Sequence, residues 1–159
     1  MGYELIEVSD PADWVAYHAI RRQELFEAKG RHGIYDPNYP GERLPGMYPY
    51  LFKLDGLPLG TTRLDIRDDG TAIVRMVAIT SPEQRKGHGR VLARMVEERA
   101  RSFGAATLFV NAAPTALGFY EATGCHRHVW DAAELIGIAS NCIQMRKPVD
   151  HHTATGLQG

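Results

Sequence analysis

The residues with the clearest chemical potential lie in one run, Gln84-Arg85-Lys86-Gly87-His88-Gly89-Arg90. A β-branched, apolar run precedes it, from Ala72 to Thr80, and a helix-patterned run follows it, from Val91 to Phe103. A strand, a basic glycine-containing loop and a helix start form an anion-binding arrangement. Unpaired N–H groups at the helix start point outward, and the helix dipole adds partial positive charge. Gly87 and Gly89 have no Cβ, so a ligand can approach the backbone there. The run reads as a cradle for the pyrophosphate of a nucleotide-bearing cofactor.

Known phosphate cradles narrow the reading. No Gly-Lys-Ser/Thr follows the first glycine, which excludes a Walker A loop. A dinucleotide fingerprint would need a third glycine at position 92, where Leu92 stands. His-Arg-Asp and Asp-Phe-Gly are both absent, so there is no kinase set.

The elements that must position this loop follow from the pattern. Tyr3 to Val8 alternates as a first strand. Asp10 can cap a helix with Pro11 at its first position. Trp14, His18, Leu25, Phe26 and Ala19 make the helix's apolar face to about Ala28, with Gly30 as its stop. Residues 30–49 carry four glycines, four prolines and three tyrosines, Tyr35, Tyr39 and Tyr48, and read either as a binding lid or as a surface loop. Strands over Tyr50–Leu54, Leu59–Arg67 and Thr71–Thr80 are joined by Asp55-Gly56 and Asp68-Asp69-Gly70 turns. The third strand has Arg75 as its one charge and should be buried and central. A helix over Arg90–Phe103 buries Leu92, Met95, Val96 and Phe103 and turns Arg94, Glu97, Glu98 and Arg101 mainly outward. A strand at Ala106–Val110, a short helix at Pro114–Thr123, and strands at Arg127–Trp130 and Cys142–Met145 complete the chain. The expected fold is mixed α/β (α+β). Its central sheet has six to seven strands, antiparallel in the first half, with helices on both faces and strand Ala106–Val110 parallel to Thr71–Thr80.

Bulk properties set the boundaries. The chain has 159 residues, 44% of them hydrophobic, and a formal charge of −1. That suits one domain over residues 1–147 with a mobile polar tail at 148–159. It gives no electrostatic reason to expect nucleic acid or a membrane surface as a partner. Two cysteines make no disulfide framework, no leader pattern opens the chain, and no apolar run approaches the roughly 18 residues of a membrane span. A cytoplasmic setting is expected, and a homodimer is left open.

What the loop does match is Gln/Arg-x-x-Gly-x-Gly/Ala, through Gln84, Gly87 and Gly89. Downstream runs Asn111-Ala112-Ala113-Pro114-Thr115-Ala116-Leu117-Gly118-Phe119-Tyr120-Glu121-Ala122-Thr123-Gly124-Cys125. Together the two stretches resemble the GNAT-type N-acetyltransferase superfamily, in which an Asn after the fifth strand precedes Ala-x-x-Phe-Tyr-Glu-x-x-Gly-Phe. Asn111, Ala116, Phe119, Tyr120, Glu121 and Gly124 match in type and spacing. The resemblance covers residues 60–147 well and the first half in element order.

The resemblance implies a direct acyl transfer from acetyl-CoA, as co-substrate, to a small-molecule or peptide primary amine, with no metal. The backbone of Val77, Ala78 and Ile79 would pair with the pantetheine arm. N–H groups from Arg85 to Arg90, His88 included, would hold the pyrophosphate, with Gln84 in the motif and Arg85, Lys86 and Arg90 adding charge. Asn111 would contact the cofactor arm. Tyr120 would protonate the leaving thiolate, and a backbone N–H near Val77 or Ala78 would stabilise the oxyanion. A base must take the amine's proton. Asp65 is the first candidate and Glu24 the second, while the simpler reading of Asp65 is an ion pair with Arg63, Arg67 or Arg75, since a buried arginine needs a partner.

Other residues read more simply. His88, where the family is usually aliphatic, suits a helix start and could reach phosphate. Cys125 stands where Phe is common and reads as a small buried residue. His126 and His128 would share a strand face without further metal ligands, and His151-His152 belong to the tail. Asp36 and Glu42 could attract a cationic acceptor. Two alternatives stand beside the transferase: a non-catalytic acyl-CoA-binding module on the same fold, and an unrelated nucleotide-binding protein.

Overall fold

The structure, a computed structural model, describes residues 2–39 and 44–149. Glu42, the His151-His152 pair and the tail from residue 150 lie outside them. In chain order the elements are β1 (Tyr3–Glu7), α1 (Pro11–Arg21), a π turn (Arg22–Phe26), a 3-10 turn (Glu27–Lys29), β2 (Met47–Leu54), β3 (Leu57–Ile66) and β4 (Thr71–Ile79). A 3-10 turn (Ser81–Glu83) leads to α2 (His88–Ser102), β5 (Thr107–Ala112), α3 (Leu117–Ala122), β6 (His126–Arg127) and β7 (Ile143–Pro148). The strands form one mixed seven-stranded sheet in the order β1-β2-β3-β4-β5-β7-β6.

The described residues divide into two compact units, those up to Asp65 with Val74–Val96, and Ile66–Ile73 with those from Glu97 on. In the first, β1 runs antiparallel to β2, and β2 to β3. The β2–β3 hairpin turns on Asp55 and Gly56, both at positive φ, which matches the twist of the flanking strands. Asp10 caps α1, its carboxylate accepting the Asp13 N–H at 2.9 Å, with Pro11 in the first turn as the sequence signals. The buried residues of α1 are Tyr17, Ile20 and Arg21; of the expected face Phe26 is buried and Trp14 and Leu25 pack on the core, while Ala19 is exposed. Val8, Tyr17, Ile20, Leu51 and Ala78 close one core cluster, with Trp14 and Leu25 packed on it. The π turn shifts the phase of the residues after Arg21, Leu25 and Phe26 among them.

Two strand expectations need correction. β2 starts at Met47, so Tyr48 and Pro49 are sheet residues, and Pro49 accepts the Val8 N–H at 2.9 Å. β4 sits in the middle of the strand order but is not buried throughout. Met76 is 38% exposed, and its φ of 53° interrupts the extended backbone, which a non-glycine residue rarely does.

In the second unit, β7 is antiparallel to β5 and to the two-residue β6. The last strand runs through Pro148, and Val149 is buried with its N–H on the Ala106 carbonyl, so residues 148 and 149 are part of the folded chain and not of the expected polar tail. α2 stops at Ser102, leaving Phe103 exposed rather than on the apolar face. Glu97 does not face solvent. It is buried, 2.6 Å from the Lys147 ammonium and 3.7 Å from Arg101, a pairing with a residue fifty positions away that helical period alone does not show. The expected strand at Arg127–Trp130 shrinks to His126–Arg127, and His128 instead stacks beside Phe109, their ring centroids 6.4 Å apart.

Gly60 on β3 has no room for a side chain. A Cβ there would lie 2.5 Å from the Ala78 carbonyl oxygen and 2.8 Å from the Ile79 side chain. Gly60→Ala should therefore destabilise the protein by about 1–3 kcal/mol, lowering Tm by about 2–4 °C for each kcal/mol. Calorimetric unfolding of the variant checks this; an unchanged Tm would mean that the β3–β4 contact is looser than described.

Candidate active site

The first unit holds β4's end, the connection after it and the start of α2. Ala78 is buried; Val77 and Ile79 are half-buried. From Gln84 to Gly87 the chain turns with two left-handed residues, Arg85 at φ 64° and Gly87 at φ 87°. Arg85 is a side-chain-bearing residue held in a conformation that such residues rarely adopt, a form of local strain that clusters at ligand clamps. Gly87 has open space around its Cβ position, so its constraint is backbone conformation and not crowding. α2 then starts at His88 with no acidic side chain in its first turn, where the helix dipole favours an anion. Arg85, Lys86 and Arg90 are exposed, and Lys86 lies 3.4 Å from Glu83. The donor set suits an anion of the pyrophosphate type.

His88 departs from the expectation of a phosphate contact. Its ring is buried, with Nδ1 2.8 Å from the Tyr3 hydroxyl and Nε2 3.4 Å from the Glu83 carboxylate. The ring anchors the start of α2 to β1, which leaves only the His88 backbone for a ligand.

Neither candidate base is free. Arg63 donates to both Asp65 oxygens, at 2.8 and 3.0 Å, and Arg75 Nε donates to Oδ2 at 2.5 Å. Asp65 is thus the buried counter-ion of two guanidiniums, the paired alternative that the arginine-rich strands offered. These contacts engage both oxygens and weigh against its use as a base. Glu24, in the π turn, accepts from the Ser81 N–H at 2.9 Å, from the Ser81 hydroxyl at 2.7 and 2.9 Å, and from Gln84 Nε2 at 3.3 Å. Gln84 Nε2 also donates to the Ile79 carbonyl at 2.8 Å.

Arg21 escaped the sequence reading. It is buried, donates to the Tyr17 hydroxyl at 2.9 Å, lies 4.8 Å from the Tyr17 ring centre and touches the Met76 sulfur. Tyr35 packs back on α1, its hydroxyl 2.5 Å from His18 Nδ1 and its ring 5.1 Å from Phe26, whereas Tyr39 is exposed. Asp36 accepts the Asn38 N–H at 2.9 Å and so shapes a local turn. The Tyr17–Arg21 spacing of four residues was the one available signal for the buried arginine.

In the second unit, Asn111 faces Gln144 directly across the β5–β7 ladder. Gln144 donates to the Asn111 side-chain oxygen at 2.9 Å and to the Asp131 carbonyl at 2.7 Å, and accepts from the N–H groups of Trp130 and Asp131. Asn111 in turn donates to Glu134 at 3.0 Å. The expected cofactor contact of Asn111 must therefore share a side chain already tied to the segment after β6. Sequence reading missed Gln144; a lone glutamine inside an apolar strand was its only mark.

Tyr120 lies on α3, its ring 5.2 Å from that of Phe119. Burial, with smaller contributions from Cys125 and Cys142, pushes its phenol well above the ordinary tyrosine range, so it keeps its proton. Burial likewise pushes the Cys125 thiol up, which fits a packed residue and not a nucleophile. Among the described residues no group of three or more His, Cys, Asp or Glu side chains could hold a metal, and no helix is long and apolar enough to cross a membrane.

Removing the shared counter-ion should be costly. Asp65→Ala leaves Arg63 and Arg75 without it and should lower unfolding free energy by about 3–5 kcal/mol, measured by urea denaturation. A loss below about 1 kcal/mol, the scale of an exposed pair, would contradict the buried triad.

A search of curated proteins found no match. Among solved structures the chain is similar to a candidate N-acetyltransferase from Lactobacillus plantarum, at 22% identity and TM-score 0.73, covering 94% of this chain and 100% of that one. It is similar to the ribosomal-protein-S18-alanine N-acetyltransferase of Escherichia coli, at 17% identity and TM-score 0.70, over 93% and 94% of the two chains. It is also similar to an aminoglycoside 6'-N-acetyltransferase complexed with coenzyme A, at 13% identity and TM-score 0.71, over 92% and 97%. At such identities these likenesses establish the fold. The model of the acetyltransferase (GNAT) family matches residues 14–125, and with the strand, loop and helix order described above, the chain belongs to that family.

Proposed function

We propose that the protein is an acetyl-CoA-dependent N-acetyltransferase acting on a primary amine, with residues 1–147 working as one transferase domain. The observation that carries this is the β4–α2 connection: a strand end, left-handed Arg85 and Gly87, and a helix start free of acidic side chains. Family membership and the coenzyme A bound to one structural relative support it.

Acetyl-CoA supplies an acetyl group activated as a thioester. In this reading Val77, Ala78 and Ile79 offer backbone to the pantetheine arm. The N–H groups of Arg85–Arg90 and the side chains of Arg85, Lys86 and Arg90 hold the pyrophosphate, within the motif that Gln84 opens. Asn111 contacts the arm with the bonding capacity left to it. A backbone N–H near Val77, beside the break at Met76, faces the developing oxyanion. Tyr120 donates its proton to the departing thiolate. With Asp65 and Glu24 both engaged, the amine's proton leaves through water or another group. The acceptor is a small-molecule or peptide amine.

The same engagement of both carboxylates favours the second reading, a non-catalytic acyl-CoA-binding module. Acetyl-CoA-dependent thiol release over a panel of amine classes separates the two. Release with at least one class is expected; stable CoA binding with no release over the whole panel would establish the module.

Tyr120→Phe should lower kcat by about 10²-fold or more while changing CoA affinity little. Equal turnover would remove Tyr120 as the acid. The pH dependence has a defined sign. A phenol is an acid only below its pKa, and burial raises that of Tyr120, so its protonated range extends upward. The kcat/KM profile should show no alkaline fall near the ordinary tyrosine value of about 10. A fall there that disappears in Tyr120→Phe would contradict the buried phenol.

A further inference from the structure

We infer that Glu24 is a positioning residue for the cofactor loop, a role that rests on the proposed function. Glu24 lies in the π turn after α1, fifty-seven positions before Ser81. Its carboxylate nevertheless accepts three kinds of donor from the β4–α2 connection: the Ser81 backbone N–H, the Ser81 hydroxyl and the Gln84 amide. Gln84 in turn holds the Ile79 carbonyl at the end of β4. One side chain thus binds both the start of the connection and the first residue of the Gln84–Arg90 run.

The placement is electrostatically unfavourable for a direct contact with the cofactor's phosphates. A carboxylate near an anion cradle repels the anion, so it would weaken binding unless it sets the loop's shape. Here its hydrogen bonds do that. They fix Ser81 and Gln84 immediately before Arg85, the side-chain-bearing residue held at positive φ. A strained conformation persists only where its surroundings over-determine it, and the Glu24–Ser81–Gln84 contacts are the surroundings on its N-terminal side. The π turn provides the side chain. It widens the helix by one residue where Glu24 must leave the α1 phase, and such turns recur at functional sites.

This differs from a base. A base needs its charge and must touch the amine; a positioning residue needs acceptor oxygens and acts on cofactor binding. Glu24→Gln keeps one side-chain oxygen acceptor and loses the charge, whereas Glu24→Ala loses both.

Calorimetric titration with CoA, steady-state kinetics with acetyl-CoA, and amide hydrogen exchange over residues 80–87 test the inference in wild type, Glu24→Ala, Glu24→Gln and Ser81→Ala. Glu24→Ala should raise the CoA Kd and the acetyl-CoA KM about tenfold or more, change kcat less than threefold, and speed exchange at residues 81–87. Glu24→Gln should recover a large part of the affinity with kcat near wild type, and Ser81→Ala should fall between wild type and Glu24→Ala. Wild-type CoA affinity in both Glu24→Ala and Ser81→Ala would overturn the inference and leave the proposed function standing. So would a fall in kcat of about 10²-fold in Glu24→Gln with unchanged KM, which would make Glu24 the base. Failure of the wild-type protein to bind CoA would overturn the proposed function itself, and this role with it. If Glu24→Ala does not fold, Glu24→Gln and Ser81→Ala decide.

Discussion

The first N–H groups of a helix have no acceptor within it, and at α2 the chain arrives there through two left-handed residues rather than through a capping carboxylate. That one choice shapes much of the first unit. Arg85 and Gly87 turn the backbone at the end of β4. His88, the first helical residue, is tied by its ring to Tyr3 and Glu83, so the helix start is anchored without placing an acid in its first turn. Glu24 and Gln84 secure the approach from Ile79. A helix start with no acid in its first turn leaves room for an external anion.

The charged side chains follow a consistent division. Carboxylates near the strands serve as counter-ions or as acceptors for backbone: Asp65 for Arg63 and Arg75, Glu97 for Lys147, Glu24 for Ser81. Basic side chains of the loop, Arg85, Lys86 and Arg90, stay exposed. Burial keeps the Tyr120 phenol and the Cys125 thiol protonated. Such a set of groups is the one the proposed function uses to bind an anion and donate a proton, while the β3 carboxylate, Asp65, is held by two guanidiniums.

Much of this was legible because it is local. Asp10 and Pro11 announced the α1 start, Asp55-Gly56 the first hairpin, and the Gln84–Gly89 and Asn111–Gly124 spacings the family, each within a few residues of one another. The rest depends on distant partners or on backbone phase. The Glu97–Lys147 pair, the Gln144 network and the Glu24–Ser81 contacts join residues that only the fold brings together. The buried Tyr17 and Arg21 of α1 pair with each other, and Arg21 also touches Met76 of a distant strand, which helical period does not show; the π turn changes the phase after Arg21. The left-handed Met76 left no sequence mark, since methionine has no preference for that conformation.

The most direct measurement is amide chemical-shift mapping of the isotopically labelled protein during titration with CoA. Saturable shifts concentrated at Val77–Ile79 and Arg85–Arg90 are the predicted result. Absence of saturable binding, or shifts confined to other parts of the chain, would contradict the assignment of this loop to the cofactor.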